Sequence, residues 1–186
     1  IEGGQSSEPT VAAYDPVDNT WIVKSYDTLP IRFHHHSSYL DENRKKFVFF
    51  GGFGSMIYNG DFYSCDLDEY QWQKDTLPSG DRIYPRYFTS LGYSSSEDAV
   101  YIYGGMGNES GEQIVGRHYF YDLYRLDLKT GHNTKIWGSD RVLDWKEENM
   151  VPVRNMVLHD GGFYTMCYPE FHTNSYLQLY YFDIAD

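Results

Sequence analysis

Cysteine is nearly absent from this 186-residue chain. Only Cys65 and Cys167 occur, so at most one disulfide can form, and each lies in a predicted strand, where a free Cys packs as a small hydrophobe. Positive charge is also short: 15 Lys and Arg face 27 Asp and Glu, giving a formal charge of −12 and a pI near 4.9. That balance excludes a nucleic-acid backbone and an anionic membrane surface as partners, because both require a positive field. It also keeps a Tyr-rich surface in solution. No apolar run reaches the roughly 18 residues of a membrane-spanning helix, so membrane insertion is excluded. The chain lacks an initiating Met and a signal peptide. Residues 1–10 read as a flexible lead-in, and the chain is expected to be a mature or excised piece. Leu and Ala are scarce for a helical protein. What is abundant instead is aromatic: 18% of residues, with 19 Tyr, alongside 17 Gly. Aromatic and β-branched residues suit half-buried pleated surfaces, and Gly, Asn and Asp supply turns, so the fold class is all-β.

Self-similarity organises residues 11–186. A strand ending in Asp precedes an aromatic-bearing strand three times: Val11–Asp15 with Trp21, Phe62–Asp66 with Trp72, and Leu123–Asp127 with Trp137. Tyr180-Tyr181-Phe182-Asp183 repeats the first half, so the marker Asp falls at 15, 66, 127 and 183. Between markers come a Pro/Arg signal (Pro30/Arg32, Pro85/Arg86, Pro152/Arg154) and then an apolar strand (Phe47–Phe50, Val100–Tyr103, Phe163–Met166). The first two apolar strands end in Gly51-Gly52 and Gly104-Gly105; the third ends in Cys167-Tyr168. Each period therefore predicts four short strands, a to d, with boundaries near 30, 85 and 152. Such units must stack to bury their faces. The Gly pairs supply backbone freedom at a crowded strand end. The Asp caps a tight c–d turn, and the Trp wedges between neighbouring sheets.

The ordered set Gly51-Gly52, Tyr63, Asp66, Trp72, Pro85-Arg86 resembles the kelch repeat, and Gly104-Gly105, Tyr124, Asp127 and Trp137 resemble it more loosely. The resemblance implies a kelch-type β-propeller of four-stranded antiparallel blades, with about three repeats present. Kelch rings close with about six or seven blades, so a partial ring is expected. Its open blade edges would favour self-association.

In an antiparallel a–d unit the a–b and c–d turns emerge at one end and the b–c and d–a loops at the other. The c–d and a–b turns are compact. The long loops, Gly105–His118, Gly138–Val151 and Ser55–Asn59, share the opposite end, which is the expected binding face. Its candidate residues are Tyr58, Glu112, Arg117, His118, Asp144 and Trp145. In kelch proteins strand a lines the central channel, so the resemblance makes Arg32, His34, His36, Arg86 and Arg154 channel-lining candidates. Strand alternation would put His34 and His36 on one face, a pairing suited to Zn or Cu. No further ligand is identifiable beside them, so no metal, cofactor or catalytic residue is assigned. The three Arg stand at equivalent positions and recur with the repeat, which favours a structural role over a single-ligand site.

The expected function is a non-catalytic scaffold that recognises a protein or a glycan through the long-loop face. The alternative is a carbohydrate-active enzyme, since the resemblance extends to a galactose oxidase-like copper oxidase and a sialic acid mutarotase-like propeller. The composition resembles that of exported bacterial propellers, so a periplasmic or cell-surface location is expected. In a eukaryotic secretory setting Asn108-Glu109-Ser110 would be a glycosylation sequon.

Overall fold

The computed structural model describes residues 4–29, 33–138, 150–169 and 176–185. Apart from one 3-10 turn at Gln113–Val115, the regular structure among them is β. Strands β1 (Val11–Asp15) and β2 (Thr20–Ser25) form a hairpin. Sheet I holds β3 (Ser37–Asp41), β4 (Lys46–Phe50), β5 (Phe62–Asp66) and β6 (Trp72–Lys74), antiparallel and adjacent in chain order. Sheet II repeats this with β7 (Ser90–Ser94), β8 (Ala99–Tyr103), β9 (Leu123–Asp127) and β10 (His132–Trp137). Ser79–Gly80, from the connection between the two sheets, adds a short parallel strand outside β10. In sheet III, β11 (Met150–Pro152) and β12 (Val157–His159) pair opposite halves of one edge of β13 (Gly162–Pro169). Strand β14 (Gln178–Asp183) covers the other edge of β13. Among the described residues the sheets do not join into a closed barrel or ring.

The marker Asp residues act locally, as their position at strand ends demands. Asp15 Oδ1 accepts from the backbone N–H of Val17 at 2.8 Å, Asp66 Oδ1 from Asp68 at 2.8 Å and Glu69 at 3.0 Å, and Asp127 Oδ1 from Lys129 and Thr130 at 3.0 and 2.9 Å. Asp183 Oδ1 accepts from Ala185 N–H in the same way. These bonds hold the Asp66 and Asp127 carboxyls below the usual carboxylate range. The Gly pairs are equally physical. Gly51 and Gly105 have φ of 76° and 102°, and a Cβ on either would lie 2.6 Å from Arg86 O or 2.7 Å from Tyr87 O.

The apolar central strands read as continuous runs because both their faces are covered. Val48 and Phe50 of sheet I meet Leu91, Val100, Ile102, Tyr124 and Leu126 of sheet II. Phe49 turns the other way, into a cluster with Leu29, Phe33, Tyr63 and Trp72. Tyr101, Tyr103 and Leu123 face sheet III, where Met150, Met156, Phe163, Cys167 and Phe182 complete a third core. Trp72 and Trp137 therefore sit between layers, Trp137 with its ring 5.8 Å from Tyr103 and 6.1 Å from Phe182. Trp21 does not; it is 70% exposed beside Tyr14. The lead-in also departs from a free tail, because Gly4–Gln5 pairs antiparallel with Asp27–Thr28. Cys65 and Cys167 are buried and unbridged, and burial pushes the Cys167 thiol up to about 12. Asn108 is buried too, donating to Glu112 O and Gly116 O, so the sequon Asn is packed as the brace of its own loop. No helix among the described residues is long and apolar enough to cross a membrane.

First strands of neighbouring sheets lie side by side and are tied by equivalent serines. Ser37 Oγ donates to Thr89 O, and Ser90 Oγ donates to Arg154 O at 2.9 Å. At the turn end, Arg44 forms a two-pronged ion pair with Asp98 at 2.6 and 2.8 Å and reaches Asp41 at 3.0 Å, joining sheet I to sheet II. The Arg44 guanidinium holds the Asp98 carboxyl below its ordinary value of 3.8. A carboxylate depressed by folding contributes stability above its unfolded pKa and loses that contribution as pH falls through the folded value. Arg44→Met is therefore expected to flatten the acid limb of melting temperature against pH below about pH 4. Its curve should lie under that of the unsubstituted protein at neutral pH and converge with it in acid. Parallel curves would show that Asp98 gains nothing from Arg44.

Candidate functional site

The long b–c loops of sheets I and II are built differently but end up interlocked. In sheet I, Phe53–Gly54 and Ile57–Tyr58 form a miniature hairpin whose two turn residues, Ser55 and Met56, both have positive φ (50° and 65°). Gly, Asn and Asp normally occupy such turns, so Ser and Met there mark local strain. In sheet II the loop Asn108–Arg117 folds around the Asn108 amide. Backbone bonds from Tyr58 N–H to Gly111 O (2.7 Å) and Gln113 N–H to Met56 O (2.9 Å) then zip the two loops together. The outcome is a ridge of aliphatic side chains held out in solvent: Met56 at 63% exposure, Ile57 at 50%, Ile114 at 84% and Val115 at 64%.

Beneath the ridge runs a cleft of about 490 Å³ between sheets I and II. Ile57, Tyr58, Asp61 and Phe62 line it from sheet I, Leu77, Pro78, Asp81, Arg82, Ile83 and Pro85 from the connection, and Asn133 from β10. Asp61 is paired with Lys74 at 2.6 Å. Asp81 is fixed by its neighbour strand: its N–H donates to Asn133 O, its carbonyl accepts from Asn133 Nδ2, and its Oδ2 accepts from Lys135 N–H at 2.8 Å.

The expected binding-face residues divide. Tyr58 is 4% exposed and stacks on Tyr87 at 5.5 Å, so it supports the face from below. Arg117 joins the same aromatic cluster, donating to Tyr87 Oη at 2.8 Å with its guanidinium 5.9 Å over Tyr119. Glu112 is exposed at the start of the 3-10 turn, and His118 is exposed on a two-residue strand paired with Met106–Gly107. Asp144 and Trp145 lie outside the described residues.

The channel candidates need correction. His34, His35 and His36 are not one strand: His34 makes an isolated bridge to Phe53, and His35 has φ of 56°, so strand alternation does not hold across them. His35 packs on Phe88 at 4.4 Å and Phe53 at 5.6 Å, and His36 packs on Phe49 at 4.8 Å. Burial against these rings, reinforced by the adjacent imidazoles, lowers the pKa of His35 and His36 and favours their neutral forms. Among the described residues no three His, Cys, Asp or Glu side chains converge to hold a metal ion.

Arg86 and Arg154, two of the three expected channel Arg residues, stand in different surroundings. The displacement that carries Ser37 to Ser90 and Gly51 to Gly104 carries Phe33, not Arg32, to Arg86. Arg32 itself lies outside the described residues. Arg86 is fully buried, paired with Asp122 at 2.6 and 3.2 Å, bonded to Tyr84 O and Gly104 O, and stacked 4.0 Å over Phe120. Arg154 is exposed and donates to the carbonyl of its neighbour Val153. Sequence reasoning missed Asp81 and Asn133. Asn133 sits in the hydrophilic run His132–Lys135, which carries no mark of burial. No protein-family model matches the chain, and no curated protein matches it in sequence.

Proposed function

We propose that the sheets are blades of a kelch-type β-propeller and that the chain is a non-catalytic scaffold whose long-loop face docks a protein partner. The blade reading draws support from the repeated strand order, the Asp-capped turns, the paired positive-φ glycines and the serine links between first strands. The observation that carries the docking reading is the ridge. Met56, Ile57, Ile114 and Val115 stand in solvent on two loops that backbone hydrogen bonds tie to each other. Exposed aliphatic clusters on a preorganised backbone suit protein docking, because burial there gains hydrophobic free energy without ordering a loop. The rim supplies polar contacts through Glu112 and His118.

The test compares the unsubstituted protein with Met56→Asp/Ile114→Asp as baits in extracts of the native source, followed by affinity measurement on each purified candidate. Two central aliphatic contacts of more than about 1 kcal/mol each predict roughly 30- to 100-fold weaker binding by the double variant. Val17→Asp, on the opposite turn end, should bind as the parent does. Equal binding by all three proteins defeats the reading.

A further inference from the structure

A second cavity, of about 310 Å³, opens between the β1–β2 hairpin and sheet I. Thr10, Thr28 and Leu29 line it from the hairpin side, and Phe33, His36, Phe49 and Trp72 from sheet I and the segment leading into it. Its wall is therefore mostly aromatic. Phe49 is the buried floor; the His36 ring stands 4.8 Å from it, turned by 46°, and the Trp72 ring 6.0 Å from it, turned by 59°. Rings set at such angles make a cup, and Phe33 packs against the same cluster. The cup is open to solvent, since His36 is exposed and Phe33 and Trp72 are half-buried. Its hydroxyl protons already serve the backbone: Thr10 Oγ1 donates to Ser25 O and Asp27 O, and Thr28 Oγ1 donates to Leu29 O. Among the described residues no Lys or Arg lines it. Asp27, next to Thr28, keeps a carboxylate close by, fixed by accepting the Trp72 backbone N–H at 2.6 Å.

We infer that this cup binds a quaternary or methylated ammonium group, of the kind carried by choline. The methyl groups of such a cation pack as apolar surface while its charge is drawn to the electron-rich ring faces. It asks for no aimed acceptor, which suits a wall with few free polar atoms. The long-range field has the same preference, because Asp27 is adjacent and the whole chain carries −12. His36 does not oppose it, since burial and the adjacent imidazoles lower its pKa and favour the uncharged ring. A primary ammonium or a metal ion fits less well, because its tightly held water would have to be replaced by acceptors that the wall lacks. An anion meets the wrong field. The volume lies at the small end of the range for ligand sites, roughly 300–1,000 Å³.

The experiment is titration of the full chain with choline and tetramethylammonium, read by calorimetry and by NMR of the Trp indole N–H signals. The key comparison is 3,3-dimethylbutan-1-ol, which has the shape of choline with carbon in place of nitrogen and no charge. Choline and phosphocholine together distinguish a free cation from a lipid headgroup as the source of the group. Choline should bind saturably, shift the Trp72 indole signal, and bind at least about tenfold more tightly than the uncharged alcohol. Trp72→Leu should weaken choline about tenfold, and Trp72→Phe, which keeps a ring, should retain most of the affinity. Because Trp72 also packs between layers, His36→Lys supplies a second variant at an exposed position; its added charge should abolish choline binding and leave the fold intact. The inference is overturned if neither cation binds, if the alcohol binds as tightly as choline, or if Trp72→Leu and His36→Lys both bind choline as the parent does. Met56 and Ile114 do not line this cup, so the docking variants should leave choline affinity unchanged.

Discussion

Arg86→Ala is expected to destabilise the chain by about 3–5 kcal/mol, since removing one partner of a buried ion pair strands the other charge. Asp122 would be left 4% exposed with its partner gone, and Gly104 O and Tyr84 O would each lose a donor. The stacked contact with Phe120 would vanish as well. Arg86→Lys should recover little, because a single ammonium cannot reproduce the two-pronged pair and the two carbonyl bonds together. The informative companion is Arg86→Met/Asp122→Leu. With both charges gone the desolvation penalty also goes, so this double variant should be clearly more stable than Arg86→Ala. Urea denaturation measures all three. A midpoint for Arg86→Ala within about 1 kcal/mol of the parent would mean the pair contributes nothing that water cannot replace.

Phe50→Ala should lower stability by a similar amount, about 3–5 kcal/mol, through the cavity it leaves. Phe50 has no exposed surface and its ring lies 4.5 Å from Phe62 in the core shared by sheets I and II. Both sheets border that space, so neither can close it by moving alone. Phe50→Leu, which keeps most of the volume, should cost much less, and Val17→Ala, at 90% exposure, almost nothing. Calorimetric melting separates these outcomes. Equal losses for Phe50→Ala and Phe50→Leu would show that ring packing, rather than filled volume, holds the interface.

The sequence was legible where a residue acts on its own neighbours. Asp15, Asp66, Asp127 and Asp183 cap turns through bonds spanning two or three residues, so their spacing alone predicts them. The Gly pairs announce themselves because positive φ narrows the choice of residue. Reasoning failed where partners are remote. Arg86 looked like one spoke of a wheel because its partner Asp122 lies 36 residues further along, just ahead of β9, and nothing near Arg86 in the chain reports it. The three His suggested a strand because a single left-handed residue, His35, leaves no trace in the hydrophobic pattern. The ridge was half visible, as a long loop, but its two halves are joined by the Tyr58–Gly111 and Gln113–Met56 bonds between loops of separate sheets. Asn133 and Asp81 were invisible for the same reason.

The ties between sheets have a direction. Ser37 waits for Thr89, Asn59 O for the N–H of Arg86, Arg44 for Asp98, and Ser90 for Arg154. In each case the earlier sheet is completed by residues made later. During synthesis, which delivers the N-terminal part first, sheet I therefore emerges with polar groups unmet and an apolar face uncovered until sheet II is out. Sheets I and II are each held in suspense by the sheet that follows, so nascent pieces that stop between sheets are the species with most reason to recruit a chaperone.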